Sequence, residues 1–149
     1  GDGLDKDTSA FRIGPDLRFA IVAAPAYLMR RREPVTPEDL LQHDCIALRL
    51  AGGGCYAWEL KQGSRELNVR VPSRLVFNGV YPMLRAVLSA HGLAYLPEDL
   101  ARPHLEEGRL QPVLEGWWRT FPGYHLFFAR QHEPPQALQV VINTLRYTG

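Results

Sequence analysis

Apolar positions along this chain recur with two different periods, and each change of period marks an element. From Phe19 to Ala24 every residue is apolar. Continuous apolarity over so short a span predicts a strand covered on both faces, over 17–24. A shorter strand is predicted ahead of it over 8–14, closed by Gly14-Pro15. Pro25 then opens a turn of helix through Ala26, Tyr27 and Leu28, because proline is tolerated at the first helical position. Thr36-Pro37-Glu38-Asp39 predicts a further helix start, with Thr36 placed to cap and two carboxylates at the positive end of the helix dipole. That helix runs from Glu38 to about His43, and a strand follows from Cys45 to Leu50. Tyr56, Trp58 and Leu60 alternate with small or polar residues, as do Leu67, Val69 and Val71. Lys61-Gln62-Gly63-Ser64 lies between them, so an antiparallel hairpin with one wet face is predicted.

Leu75 and Phe77 continue the odd-numbered apolar set after Pro72. Over 79–91 the period lengthens: Val80, Met83, Leu84, Val87 and Leu88 follow the spacing of one helix face. Gly92 is placed to end that helix in a left-handed conformation. Leu93 to Leu96 reads as a buried strand, and Pro97-Glu98-Asp99 opens another short helix. Strand, helix and strand over 74–96 imply a parallel pair with a right-handed crossover. Strands at 109–114 and 124–129 follow, then a helix opened by Pro134-Pro135 with Leu138, Val141, Ile142 and Leu145 on its apolar face. Parallel units together with a hairpin make the class α/β.

Composition narrows what such a fold does. Its 149 residues suit one domain or two small lobes, and the net charge is +1. The arginines are scattered except for Arg30-Arg31-Arg32, which reads as a solvated helix end. Without a basic stripe to neutralise phosphates, this chain alone is not expected to bind DNA. Cys45 and Cys55 lack the paired spacing of a zinc site and are expected to be reduced, structural thiols. No apolar run approaches the roughly 20 residues of a membrane helix. The opening Gly-Asp-Gly-Leu-Asp holds neither an initiator Met nor a first element, which suggests a fragment.

Catalytic signatures are weak. Gly52-Gly53-Gly54 lacks the Gly-Lys-Ser/Thr of a phosphate loop and reads as a connector. His43 and Cys45 are two potential ligands, too few for a zinc site, and no metal or cofactor is expected. His91 ends a helix where its charge suits the dipole. The pairs Glu38-Asp39, Glu98-Asp99 and Glu106-Glu107 are explained by capping and solvation. The informative place is Phe77-Asn78-Gly79-Val80, where the carboxyl end of a strand meets a helix start. Open α/β sheets bind ligands in crevices at such ends, and free backbone N–H groups there suit carboxylate or phosphate. Asn78 either caps the helix or also faces a ligand. Pro82 leaves two arrangements open: a helix capped by Asn78 with the proline in its first turn, or a later helix with Gly79-Val80 in a loop.

Three stretches carry a resemblance. They are Ala10-Phe11-Arg12-Ile13-Gly14 leading through Leu17–Ala24 to Pro25-Ala26-Tyr27-Leu28; Thr36-Pro37-Glu38-Asp39-Leu40 with His43-Asp44-Cys45-Ile46; and Phe77-Asn78 with Gly92-Leu93-Ala94-Tyr95-Leu96-Pro97 and Gly108-Arg109-Leu110. In these the chain resembles the effector-binding domain of LysR-type transcription regulators. The resemblance implies a periplasmic-binding-protein-like (type 2) sensor fold, in which an effector lies between two α/β lobes. On that plan residues 1–22 are a hinge strand and remnant of the first lobe, 23–123 the second lobe, and 124–149 the return hinge strand and C-terminal helix of the first. The rest of the first lobe and the winged helix-turn-helix would lie outside the chain. A ligand site is implied at Arg12, on the hinge strand, and at Phe77, Asn78, Gly79 and Val80. A guanidinium at Arg12 could grip a carboxylate bidentately; a structural ion pair is the other reading. The implied protein is cytoplasmic and homo-oligomeric, takes a small, anionic effector, and meets DNA only through the missing helix-turn-helix. A solute-binding protein of the periplasmic type shares the fold and is the alternative; an enzyme ranks behind both.

Overall fold

The computed structural model describes residues 16–122. The expected strands at 8–14 and 124–129, the last helix and Arg12 lie outside the described residues. The elements are β1 (Leu17–Ala23), α1 (Pro25–Arg30), a 3₁₀ turn (Pro37–Gln42), β2 (Cys45–Leu48), β3 (Trp58–Gln62), β4 (Arg65–Val69), β5 (Ser73–Phe77), α2 (Val80–Leu88), β6 (Leu93–Pro97), α3 (Glu98–Glu106), β7 (Gln111–Val113), a second 3₁₀ turn (Glu115–Trp117) and β8 (Arg119–Phe121).

One mixed sheet runs in the order β5-β2-β6-β1-β7. β5 and β6 are both parallel to β2, which lies between them, so the crossover through α2 skips one strand. β1 runs antiparallel to β6 on one side and to β7 and β8 on the other. β7 takes Ile21–Ala23 and β8 takes Leu17–Phe19, so the two short strands share one edge of β1. With neighbours along both edges, Phe19–Ala23 is fully buried, as continuous apolarity predicts. β8 was not anticipated: Arg119-Thr120-Phe121 is too short and polar to announce a strand before β1 is in place.

The two faces of the sheet differ in residue size. Registered pairs share a face, so Phe19 and Ile21 lie with Tyr95, and Ala20 and Val22 with Leu96 and Ala94. Tyr95 carries the β3–β4 hairpin: Trp58 stacks on it at 5.6 Å with the rings 17° apart, and Tyr56 lies 5.6 Å away. The Tyr95 hydroxyl donates to Glu59 O at 2.5 Å, which fixes the hairpin along the sheet. Ring pairs of this kind add to an already large area burial. α2 and α3 pack on β1 and β6, where the alanines at 20 and 94 let helix backbones approach.

α2 ends differently from its expected stop. Ala90, not Gly92, takes the left-handed conformation, at φ +65°. His91 N–H donates to Ala86 O and Ala90 N–H to Val87 O, the two bonds of a Schellman end. Gly92 serves another purpose. A Cβ there would stand 2.4 Å from Asp44 O, the oxygen that accepts Leu93 N–H at 2.9 Å. The glycine lets two chain segments meet at the start of β2 and β6.

The first 3₁₀ turn confirms its start signal through Asp39, whose carboxylate accepts from Val35 N–H at 2.9 Å and Thr36 N–H at 3.1 Å. Those two bonds hold the Asp39 carboxyl below its usual range. The arginine run is not merely solvated. Arg30 donates to Ala90 O at 2.9 Å, and Arg31 bonds Gln42 O and, at 3.2 Å, Asp44. Both arginines close carbonyl ends of other elements, an arrangement invisible in a linear run of like charge.

Candidate functional site: the carboxyl edge of the parallel strands

β2, β5 and β6 point their carboxyl ends to one edge of the sheet. Two helices start there, and they differ. α3 begins with Glu98 and Asp99 in its first turn. Asp99 is paired with Arg102 at 2.8 Å, and Glu98 lies 3.5 Å from Arg18 of β1. Its positive end already has acids beside it. α2 begins with Val80-Tyr81-Pro82, has no acid in its first turn, and has no side-chain cap.

The expected cap at Asn78 is therefore corrected. Gly79 is the N-cap, in extended backbone at φ −154°, and Asn78 is exposed beyond the helix start without bonding it. The question raised by Pro82 is also answered. It occupies the third helical position, in the first turn, where its missing N–H breaks no intrahelical bond. Backbone donors of Gly79, Val80 and Tyr81 are the ones a helix start leaves without intrahelical partners. Together with the dipole they make this end of α2 suited to an anion.

Phe77 and Val80 set the depth of the place. The Phe77 carbonyl accepts from Arg49 N–H at 2.8 Å, so β2 holds the end of β5 in register. Phe77 is half-buried, and Val80 is buried under the helix. The structure thus brings Phe77, Asn78, Gly79 and Val80 to one edge, two with apolar side chains, one with an exposed amide and one with backbone alone. The fifth expected residue, Arg12, has no described position. Arg49 was not singled out from the sequence, yet its backbone clamps Phe77 and its side chain is exposed at the same edge. The only signal available was its position as the first charged residue after an apolar strand.

Other titratable groups are poorly suited to chemistry. Burial pushes the Cys45 thiol up to about 12, with the nearby Asp44 charge adding to the shift. Burial likewise raises Tyr56 and Tyr95, so both phenols stay neutral. Cys45 and Cys55 are both free. Among the described residues no group of three or more His, Cys, Asp or Glu is placed to hold a metal, and no helix is long and apolar enough to cross a membrane.

His43 is the most structured of them. Its side chain is buried against Tyr27, whose oxygen lies 2.8 Å from His43 Nδ1 and accepts Asp44 N–H at 3.1 Å. With Asp44 N–H on its oxygen, the phenol can direct its own proton to Nδ1 of a neutral ring. A neutral ring satisfies every partner. Burial lowers the His43 pKa, and the Arg31 charge acts in the same direction. This cluster sits at the start of β2, the edge opposite to α2's first turn.

The fold is shared with solved regulatory domains. The regulatory domain of AphB from Vibrio vulnificus superposes with a TM-score of 0.65 over 92% of this chain and 68% of that one, at 17% identity. The CrgA regulatory domain, a LysR-type transcriptional regulator from Neisseria meningitidis, gives 0.63 over 72% of this chain and 53% of that one, at 24% identity. These likenesses establish the mixed α/β, periplasmic-binding-protein-like (type 2) fold. The LysR substrate binding domain model matches residues 1–149, and the chain belongs to that family. Among its relatives, a Pseudomonas aeruginosa protein named as a transcriptional regulator is 46% identical over 99% of this chain and 49% of its own length. The HTH-type transcriptional regulator PgrR of Escherichia coli is 37% identical over 100% of this chain and 50% of its own. The chain thus spans about half the length of these relatives.

Proposed function

We propose that this chain is the ligand-sensing part of a transcription regulator, a binding module and not an enzyme, with residues 23–123 as one lobe of an effector cleft. The family match supports the class, and the uncapped, acid-free start of α2 supports the place. A small, anionic effector lies against Phe77, Asn78, Gly79 and Val80, taking backbone N–H donors from α2 and a bidentate grip from Arg12 on the hinge strand. Effector binding favours one arrangement of the lobes, and so alters how the parent regulator, a cytoplasmic homo-oligomer, holds DNA through a helix-turn-helix outside this chain.

The observation carrying this reading is the contrast between the helix starts: one has two acids, both ion-paired, and the other has neither an acid nor a side-chain cap. The test is a thermal-shift panel of small carboxylates on the whole chain, with Arg12→Ala and Asn78→Ala beside it. One carboxylate should raise the melting temperature, by an amount that grows with its concentration over its Kd. Arg12→Ala should abolish the shift, and Asn78→Ala should reduce it. If no carboxylate stabilises the chain and Arg12→Ala leaves transcription by the parent regulator unchanged, the cleft assignment is wrong.

A further inference from the structure

Among the described residues β4 pairs with β3 alone. Gly63-Ser64 joins the two strands as a two-residue turn, Gly63 supplying φ +61° at its first position. A hairpin of that length closes on a hydrogen-bonded pair, here Gln62 and Arg65. Along β4 the bonding then alternates. Arg65, Leu67 and Val69 turn their N–H and C=O groups toward β3, and Glu66 and Asn68, with Arg70 just beyond, turn theirs outward. Glu66, Asn68 and Arg70 are all exposed. An open row of this kind is a template for another strand.

The outward row also has a charge pattern. Glu66 and Arg70 stand two residues either side of Asn68, one acid and one base. We propose that β4 is a self-association edge, on which a second copy of this chain adds its own β4 antiparallel with Asn68 facing Asn68 on a twofold axis. That register matches outward-facing backbone groups with outward-facing groups. It places Glu66 of each copy opposite Arg70 of the other, so two ion pairs form by symmetry. Moving the axis to Leu67 keeps the backbone bonds but sets Glu66 opposite Asn68, and both ion pairs are lost. Charge therefore selects the register.

The other face of the ladder is apolar in the same register, with Leu67 of one copy opposite Val69 of the other. Beside it runs a groove of 270 Å³, lined by Pro37, Glu38 and Leu41 of the 3₁₀ turn and by residues 67–70. Leu41 is 53% exposed there and would be covered by the added strand. Glu66 faces Lys61 across the hairpin and lies 3.6 Å from Arg119.

Sedimentation velocity over a concentration series tests the edge, with circular dichroism to confirm folding. The parent chain should self-associate. Glu66→Lys and Arg70→Glu should each weaken that association about tenfold, since each makes like-charge pairs at both ends of the ladder. Mixed together, the two variants should associate as the parent does, because each supplies the charge the other lacks. A loss of local folding cannot be repaired in trans in this way. A parent chain that stays monomeric, single variants that associate like the parent, or a mixture that stays apart would each overturn the proposal.

Discussion

The two edges of the sheet carry backbone groups of the same kind and treat them in opposite ways. At the start of β2 and β6, polar groups are matched: Tyr27 bridges His43 and Asp44, Arg31 bonds Asp44, and Gly92 lets Leu93 reach Asp44 O. At the far edge, α2 begins with no side-chain cap, no acid and an exposed Asn78. An edge whose groups satisfy one another can fix how segments meet but has little left for a ligand. An edge with unmatched donors can bind one, at some cost in local stability.

The largest expected effect lies on the matched edge. Gly92→Ala should destabilise the fold by about 3 kcal/mol or more in urea denaturation, since its Cβ meets Asp44 backbone that cannot move without breaking the Leu93 bond. Gly79→Ala is the control at the open edge. Its φ is extended and the nearest atom to a new Cβ is Pro82 Cδ at 3.8 Å, so stability should stay within about 0.5 kcal/mol.

Tyr27→Phe comes next, at about 1–3 kcal/mol, because it leaves His43 Nδ1 and Asp44 N–H without their shared partner. The same cluster sets a pH dependence. The folded His43 pKa lies below its ordinary 6.5, so the unfolded chain binds more protons between the two values. Stability should be full above about pH 6.5 and fall as pH drops toward the folded pKa. His43→Gln should remove that part of the decline in a series of denaturation midpoints.

Ala90→Gly should stabilise by about 0.5–1 kcal/mol, since glycine holds φ +65° without the Cβ penalty. Smallest of all is Asn78→Ala, expected within about 0.5 kcal/mol because the side chain neither caps nor packs. A larger loss would mean that Asn78 supports α2, which would weaken its assignment to a ligand.

Local pattern made much of this legible. The burial of β1, the hairpin and the amphipathic face of α2 follow from periodicity alone, because each depends on residues two to four apart. The edge Phe77–Val80 was legible too, since a strand end running into a helix start is a local event. Asn78 as a cap was misjudged because cap geometry depends on backbone angles that residue type only biases. Gly92 was misjudged because its reason is Asp44, 48 positions away.

The sequence by itself determined the α/β class, the order of elements from β1 to β7 and the strip of residues at the end of β5. Tertiary structure decided that the acids at the start of α3 are engaged, by bringing Arg18 of β1 to Glu98. It decided that Arg30 and Arg31 staple carbonyls and that β7 and β8 share one side of β1. The reason is one of range. Periodicity records which face of an element avoids water, but a hydrogen bond or ion pair needs both partners, and here the partners come from distant parts of the chain.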